Sequence, residues 1–320
     1  MKRALAIFVL LLAGCGTLDS PDLVHDLRVL AMRSEPAEQV FALPVYFDGG
    51  AVDGGLDLAA ALAGLDVQPI TVTTLFADPD GGGRSLHYQY AICAELGDGG
   101  RCDLSQPDAY ALDEGDVTPD GGWAELSVTF TPKVSLLAAA VQADAFHGFD
   151  YLPVPVQLHL SAGSDEIFAY KRLVFSYAFA GQAVPPPNQN PYIPLLLLDG
   201  EPWSASAPPV LVDRRDYEVS PAIPDGGEEA YARATFEGGS IDFKESWRYS
   251  FLATAGAFSS FSTGGQSSVV GSANPTDSSW TPADSDAAQD VTYFVIVRDG
   301  RGGEGWTVRH ARFAPTVPAK

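Results

Sequence analysis

Three cysteines carry the most distinctive chemistry in this sequence, and they fall in two different settings. Cys15 ends a short N-terminal segment that starts with Met1-Lys2-Arg3 and has no charged or polar side chain from Ala4 to Ala13. This apolar run is too short to span a bilayer as a helix, which takes about 20 apolar residues. It fits the apolar region of a secretory signal, so we expect residues 1–14 to be removed and the chain to be exported.

The residues at the end of this segment, Leu12-Ala13-Gly14-Cys15, resemble the lipobox of bacterial lipoproteins. The resemblance implies that the Cys15 thiol carries a diacylglyceryl group and anchors the mature protein. Stable anchoring takes more than one acyl chain, which this modification supplies. Gly16 follows the cysteine where an aspartate would favour inner-membrane retention in enteric bacteria, so by analogy we expect an outer membrane lipoprotein. The alternative is an ordinary signal peptide with a chance cysteine.

Cys93 and Cys102 remain as an even pair in the exported chain. Disulfides form and persist outside the cytoplasm, so the sequence predicts one bridge that closes the short loop 94–101. Two free thiols are the alternative. The spacing does not match the C-x-x-C pairs of zinc sites, which argues against a metal at these residues.

The sequence contains no recognisable catalytic or cofactor motif. The run Gly300–Gly305 satisfies G-x-G-x-x-G, but the dinucleotide fingerprint needs a following helix, and Trp306–Phe313 alternates like a strand. Neither a G-x-S-x-G elbow nor H-E-x-x-H occurs. We therefore predict no catalytic residues, no cofactor and no metal ligand set. The histidines are expected to be solvated: His25, His87, His147, His159 and His310.

One acidic turn, Asp78-Pro79-Asp80-Gly81, begins like a calcium-binding loop. A full EF-hand loop needs an acidic residue at its twelfth position, where this sequence has Gln89. Two interpretations stay open: an irregular, weak calcium site that uses Asp78 and Asp80, or a solvated turn.

Aromatic residues in a flexible segment are the last candidate site. Phe258 and Phe261 lie in a Ser/Gly-rich stretch that runs to Gly271. Loops that expose aromatic side chains often form binding surfaces, so these residues are a candidate binding loop. The alternative is the end of a sandwich that tucks both rings into its core.

The composition limits the classes of partner. The formal net charge is −22, and loss of Lys2 and Arg3 with the leader makes the mature chain more negative by two charges. Such a surface repels phosphate backbones, and no basic stripe is present, which argues against nucleic acid as a partner. With 46% hydrophobic residues the chain can bury substantial cores.

An alternation of period two dominates both halves of the chain and predicts half-buried strands, for example at Leu86–Tyr90, Val154–Leu160 and Trp306–His310. Pro-Asp-Gly-Gly turns begin at Pro79, Pro119 and Pro224 and are predicted to be hairpin corners. Two helical patches, Asp57–Gly64 and Ser135–Ala145, are predicted as minor insertions. The sequence thus predicts an all-β protein of antiparallel sandwiches.

A proline-rich stretch divides the chain. Pro185-Pro186-Pro187 favours polyproline II, so residues 183–190 are predicted to be a semi-rigid linker. The other predicted boundaries are set by this linker and by Cys15. They are 1–14 for the signal peptide, 15–24 for a lipidated tether, 25–182 for the first sandwich with its helical insertions, and 191–316 for the second sandwich.

Several phrases resemble uncharacterised lipoproteins with immunoglobulin (Ig)-like domains that are common in myxobacteria. They are Leu27–Pro36, Lys171–Val174, Leu252–Gly256 and Val295–Trp306, with Trp280-Thr281-Pro282 before the last pair of strands. The resemblance implies two Ig-like domains and an extracytoplasmic location; the family carries no activity that could be transferred. One departure is Phe251, which stands where such domains often place a core tryptophan. Two interpretations of Trp247 stay open: it fills that role, or it packs elsewhere.

These observations together predict a non-enzymatic, membrane-anchored lipoprotein with a structural, adhesive or protein-binding role, whose partner is an envelope protein. The alternative is a carbohydrate-binding surface module that uses exposed aromatic side chains. A hydrolase with a non-local site is a third hypothesis, since β-sandwiches host all three functions.

Overall fold

The computed structural model describes residues 20–42, 64–145, 151–178, 184–235, 239–266 and 273–316. Within these ranges the chain forms twenty β-strands, one α-helix and a 3-10 turn. The strands pair mainly antiparallel, so the predicted all-β fold is confirmed. No helix in the described part of the chain is long and apolar enough to cross a membrane.

The first sandwich contains eight strands in two sheets. A three-stranded sheet has the order β1-β3-β6, and a five-stranded sheet has the order β2-β8-β7-β4-β5. The strands are β1 (Arg28–Glu35), β2 (Glu38–Ala42), β3 (Ile70–Ala77), β4 (Leu86–Ile92), β5 (Tyr110–Val117), β6 (Trp123–Phe130), β7 (Tyr151–Ala162) and β8 (Asp165–Ala178).

The pairing of β2 with β8 is parallel, whereas the other strands of both sheets pair antiparallel. A first strand that leaves one sheet to run parallel to the last strand of the other is the arrangement of Ig-like sandwiches. The core between the sheets comes from every second residue of each strand. It includes Phe76, Leu86, Tyr90, Leu158 and Phe175.

The second sandwich repeats this plan. Its sheets have the orders β10-β9-β12-β18-β16 and β11-β20-β19-β15-β17, and β11 is parallel to β20. The strands are β9 (Leu196–Leu198), β10 (Glu201–Pro202), β11 (Val210–Leu211), β12 (Tyr217–Pro221), β15 (Arg248–Ala253), β16 (Ala257–Phe258), β17 (Ser262–Gly264), β18 (Ser278–Thr281), β19 (Gln289–Arg298) and β20 (Glu304–Phe313).

Trp280 occupies the centre of the second core. Its ring lies 5.1 Å from that of Tyr293 and 6.3 Å from that of Phe313, both at steep angles typical of edge-to-face packing. Phe251 is fully buried in the same core. Trp247 is buried at one end of it and donates its indole N–H to Glu245 at 3.1 Å.

A separate two-stranded ribbon is inserted between β12 and β15. It consists of β13 (Ala230–Ala234) and β14 (Ser240–Lys244), which pair antiparallel with Tyr231 opposite Phe243. We call this element the ribbon. Two-stranded hairpins are marginally stable alone, so contacts outside the ribbon must hold it in place.

The turn and helix predictions have mixed outcomes. The Ser135–Ala145 patch forms α1, Val134–Ala143, and the Asp57–Gly64 patch lies outside the described residues except for Gly64.

Turns form after Pro79, Pro119 and Pro224, with glycines at positive φ. None of the three closes a hairpin: the first two join strands of opposite sheets, and the third joins β12 to the ribbon. The predicted hairpin corners are therefore wrong, because the same Pro-Asp-Gly-Gly turn can also connect strands of opposite sheets.

A third apolar cluster joins the two sandwiches. Phe294 and Ile296 point out of the second sandwich, away from its core, and pack on Leu30, Ala31 and Leu75 of the first. The ring of Trp123 meets that of Phe294 edge-on at 6.3 Å. The strand β19 is therefore buried on both faces, and the sandwiches contact each other directly as well as through the linker.

The linker is also part of this junction. Asn188 is buried; its backbone N–H donates to the carboxylate of Glu38 at 2.6 Å, and its side chain donates to Asp299 at 2.8 Å. Asn190 donates to the carbonyl of Ser34 at 2.7 Å. The proline run predicts stiffness, and these hydrogen bonds add attachment to both sandwiches.

Candidate binding surface

The segment that follows the predicted lipidation site is bonded to the second sandwich. Cys15 itself lies outside the described residues. Val24 N–H donates to the carbonyl of Ala253 at 2.8 Å, and Ala253 N–H donates to the carbonyl of Asp22 at 2.9 Å. The buried carboxylate of Asp22 accepts the backbone N–H of Phe258 at 2.5 Å. The chain thus contacts the second sandwich before it enters the first.

This attachment lies at one end of β15 and the ribbon lies at the other. The strand β15 runs from Arg248 to Ala253; the N-terminal segment pairs at Ala253, and the ribbon joins the strand just before Arg248. Six residues of extended chain separate the two points by roughly 20 Å. The ribbon therefore stands away from the N-terminal attachment.

The predicted disulfide between Cys93 and Cys102 is confirmed, with a Cα–Cα distance of 5.6 Å. The loop it closes lies on the outer face of the first sandwich. Cys102 N–H donates to Gln157 at 2.6 Å, and the Arg101 guanidinium lies 3.8 Å from the ring centre of Phe168. His159 also stacks on the Phe168 ring, with the two ring centres 4.2 Å apart. The bridge and its neighbours cover the sheet.

The Gly300–Gly305 run turns the chain from β19 into β20: residues 300–303 form the loop, and Glu304 and Gly305 are the first residues of β20. A strand therefore follows the run, as the alternation predicts. The carboxylate of Asp299 accepts the N–H groups of Arg301 at 2.7 Å and Gly303 at 2.9 Å. These are the groups that a phosphate would need, and the loop's own carboxylate holds them. The arrangement is therefore structural.

Arg301 is the hub of this loop. Its guanidinium lies 3.2 Å from carboxylate oxygens of Glu38 in the first sandwich and of Glu229 and Glu245 at the base of the ribbon. It also lies 4.4 Å from the ring centre of Tyr231. One side chain, itself largely buried, thus ties the ribbon, the loop and the first sandwich together.

Burial perturbs the charged groups around this hub. Desolvation raises the pKa of the Glu245 carboxyl. Desolvation also raises the pKa of the Asp299 carboxyl, although the hydrogen bonds from Asn188 and the loop act to lower it. Burial lowers the pKa of Lys171, which donates to the carbonyl of Gly302. These groups are each engaged in holding the junction.

The acidic turn is not solvated at Asp78. This carboxylate is buried and accepts two bonds from Arg84, at 2.7 Å to Nε and 3.1 Å to Nη2. Asp80 is exposed and lies 3.9 Å from His25. Because Arg84 already neutralises Asp78, the turn offers no pair of free carboxylates. In the ranges that the structure covers, no group of three or more His, Cys, Asp or Glu side chains could hold a metal.

The candidate binding loop needs a correction at one of its two residues. Phe258 is 8% exposed and packs against Phe251 at 5.4 Å and Tyr293 at 6.3 Å, so it belongs to the core. Phe261 is 52% exposed and remains on the surface. The pairing of β16 with β18 turns Phe258 inward, because Phe258 lies opposite Trp280.

The described histidines are dispersed: His87, His159 and His310 lie on β4, β7 and β20, and His25 precedes β1. His87 Nδ1 lies 3.3 Å from Asp116 on the exposed face of β4 and β5, and His310 Nδ1 lies 3.1 Å from Thr292 Oγ1. His159 stacks in the disulfide group, His25 lies near Asp80, and His147 is outside the described residues.

The ribbon carries an apolar face that is partly open to solvent. Tyr231 and Phe243 stack across the two strands at 5.4 Å, and the cross-strand pair two residues along, Arg233 and Ile241, lies on the same face. The Arg233 guanidinium lies 5.3 Å from the ring centre of Tyr151 in the first sandwich. We call these five residues the ribbon surface.

Three members of the ribbon surface expose large apolar area: Ile241 at 54%, Phe243 at 39% and Tyr151 at 38%. Neighbouring exposed apolar residues are a common sign of an interaction site. The signal for this site was present in the sequence, where Tyr231, Arg233, Ile241 and Phe243 alternate on either side of the letters Glu-Gly-Gly.

Comparisons with known proteins give no family for this chain. No family model matches it, and no curated protein matches it. Among solved structures, it is similar to red sea bream transglutaminase with 12% identity over 92% of this chain, 32% of that chain and a TM-score of 0.22. The chain thus spans about a third of that enzyme's length.

Two further likenesses are to the periplasmic chaperone SfaE and to titin domains Z1Z2 in complex with telethonin. The identities are 11% and 8%, over 89% and 92% of this chain and 100% and 98% of those chains, with TM-scores of 0.22 and 0.21. At these scores the likenesses carry no argument about function. The Ig-like assignment rests on the strand order of the two sandwiches.

Proposed function

We propose that the chain is an exported lipoprotein, anchored in the outer membrane through Cys15, whose body binds an envelope protein and catalyses no reaction. The observation that carries the binding role is the ribbon surface, where Ile241, Phe243 and Tyr151 expose apolar area beside one another. The two motifs that resemble ligand sites in sequence are held by the chain's own side chains: Arg84 pairs with Asp78 in the acidic turn, and Asp299 binds N–H groups of the glycine-rich loop.

The N-terminal contacts support a close attachment of the body to a membrane. Ser20 is five residues from Cys15, and five residues span at most about 18 Å even when fully extended. Because Asp22 and Val24 are bonded to Ala253, that end of the second sandwich would lie near the lipid headgroups. The ribbon surface would then stand farther out.

A crosslinked pull-down of the tagged lipoprotein from intact native cells tests the binding role. We expect one stoichiometric protein partner, recovered with wild type and lost with Tyr151→Ser plus Ile241→Ser. Tyr192→Ser is the matched control, since this tyrosine is 57% exposed and is not a member of the ribbon surface. A partner that is retained by the double variant would contradict a role for this surface.

The anchor is tested separately. Cys15→Ala should move the protein from membrane pellets to the soluble fraction, because the thiol is the predicted attachment atom. An unchanged pellet fraction would refute the anchor and leave the binding role untouched.

A second candidate function is carbohydrate binding, favoured by the exposed ring of Tyr151 beside the Arg233 guanidinium. Sugars stack on exposed aromatic rings through apolar C–H faces and hydrogen-bond to nearby polar groups. A glycan array separates the two functions: saturable sugar binding that Tyr151→Ser abolishes would favour this candidate over a protein partner.

A further inference from the structure

We propose that the outer edge of the ribbon is a self-association site, in which β14 pairs antiparallel with β14 of a second copy around a two-fold axis at Phe243. This proposal goes beyond the binding role and does not depend on the lipid anchor. It rests on the exposure of β14, the direction of its backbone groups and the order of its charges.

The strand β14 is unusually exposed. Among the described strands of three or more residues it is the only one in which every residue, from Ser240 to Lys244, is exposed. Tyr231 of β13 lies against Arg301, so β13 is the inner strand of the ribbon and β14 the outer one. Exposed edges of this kind are templates for pairing with another chain.

The hydrogen-bond pattern shows which groups point outward. Glu245 N–H donates to the Glu229 carbonyl and Thr235 N–H to the Gly239 carbonyl, both at 2.9 Å. In an antiparallel ladder every second residue of a strand is hydrogen-bonded to the neighbouring strand. The backbone N–H and C=O groups of Phe243 therefore point to β13, and those of Asp242 and Lys244 point to the open edge. These outward groups have no hydrogen-bond partner in the part of the chain that the structure describes.

The order of charges selects the second copy as the occupant. Antiparallel pairing centred on Phe243 places Asp242 directly opposite Lys244 of the second copy, and by symmetry does so twice. The same two residues exchange both backbone hydrogen bonds, because their groups point to the open edge. Centring on Asp242 would oppose two carboxylates, and centring on Lys244 would oppose two ammonium groups, both of which are unfavourable.

The apolar face gains from the same pairing. Phe243 meets Phe243 of the second copy as a non-hydrogen-bonded pair, in which side chains approach most closely. With Tyr231 of each copy they form a row of four aromatic rings across one face. The marginal two-stranded ribbon becomes part of a four-stranded sheet with one apolar face, and three or more such strands suffice for independent stability.

Charge reversal tests this register. The mature chain carrying Cys15→Ala is examined by sedimentation velocity from about 10 µM to about 1 mM, because an interface this small gives a weak dimer. We expect Asp242→Lys and Lys244→Asp each to weaken dimerisation about tenfold or more, since each creates two like-charge pairs. The double variant restores opposite charges and should dimerise like wild type.

The double variant also controls for contacts within one copy. Lys244 lies 3.2 Å from Glu228, and both the Lys244→Asp variant and the double variant lose this ion pair. Only pairing between copies explains recovery in the double variant. A chain that stays monomeric throughout, or single variants that dimerise as well as wild type, would overturn the proposal.

Cysteine crosslinking tests the same register by position. Phe243→Cys should form an intermolecular disulfide under mild oxidation, because a non-hydrogen-bonded pair has Cα atoms about 4.5 Å apart, within disulfide range. Ile241→Cys, two residues along the same face, would lie opposite Glu245 and should stay unlinked. Equal crosslinking of both variants would show random collision and overturn the register.

Discussion

The first sandwich and the ribbon each have an edge strand, β1 and β14, and the two edges differ in how they are covered. At β1, the Met32 N–H donates to the Glu304 carboxylate at 2.8 Å, and the Leu30 carbonyl accepts from Arg298 at 3.1 Å. Side chains of the second sandwich thus satisfy the edge of the first. The β14 edge has no such cover within the described residues. An uncovered edge beside apolar side chains is what natural proteins otherwise avoid.

The same contrast holds for aromatic residues near the two edges. Phe294 is fully buried at the junction near β1, whereas Phe243 is 39% exposed beside β14. A fully covered edge indicates a permanent internal interface. An uncovered edge indicates an interface that forms with another molecule, and the two can be separated by matched substitutions.

The largest expected effect comes from Phe294→Ala compared with Phe243→Ala. Removing a buried phenyl ring should lower the free energy of unfolding by about 3–5 kcal/mol. Removing a half-exposed ring should cost about 1 kcal/mol or less. Urea unfolding followed by tryptophan fluorescence measures both. Equal losses would mean that the ribbon is packed as tightly as the junction, and the contrast between the two edges would fail.

A second, smaller effect is expected for Arg301→Met. The substitution leaves Glu38, Glu229 and Glu245 without their shared cation, which should cost about 3 kcal/mol, because breaking buried ion pairs strands the remaining charges. We also expect the ribbon to loosen, since its base is held through this side chain. Hydrogen exchange of residues 230–244 should accelerate more than that of β19.

Arg312→Met is the matched control for that variant. Arg312 pairs with Asp290 at 3.4 Å, but both side chains are more than half exposed. Exposed pairs contribute about 0–1 kcal/mol, so unfolding and exchange should hardly change. Unchanged exchange in the ribbon of Arg301→Met would show that other contacts hold it.

The fold was largely readable from the sequence because the governing patterns are local. Alternation in Val154–Leu160 and Trp306–His310 predicts strands, and both strands form. The predicted single buried face is wrong for both, because Val154–Leu158 is buried on both faces and Trp306–His310 is half-buried on both faces. The sequence predicts the pairing of Cys93 with Cys102 from an even count of cysteines after Cys15 is set aside, and the disulfide forms. Pro-Asp-Gly-Gly predicts a turn but not which strands it joins, since that depends on which sheet each strand enters.

The site was harder to predict because it depends on long-range contacts. Phe258 and Phe261 look equivalent in sequence, yet pairing with β18 buries the first and leaves the second on the surface. Arg301 sits in a glycine-rich run that suggests a phosphate loop, and only the folded chain brings it to Glu38, 263 positions away. One signal was available: the unbroken apolar run Tyr293–Val297 indicates a strand covered on both faces.

The smallest expected effect concerns Asp299, which holds the loop that carries Arg301. Burial raises the pKa of this carboxyl above its ordinary value of 3.8. In the range between these two values the folded protein binds more protons than the unfolded chain, so this group makes stability fall as pH rises. Asp299→Asn removes the titration. The free energy of unfolding of wild type, minus that of the variant, should therefore decrease from pH 4 upward.

Each unit by which the pKa is raised corresponds to about 1.4 kcal/mol, so the total decrease of this difference over the pH series measures the net rise of the Asp299 pKa. The amide also alters the hydrogen bond to Asn188, but that loss is constant with pH and shifts only the level. Urea unfolding at a series of pH values between about 4 and 7 provides the data. A difference that instead increases with pH would mean that Lys171 and the N–H groups of Arg301 and Gly303 outweigh burial. In that case the loop would be a favourable site for its negative charge, and the junction would be stabilised by the ionised carboxylate.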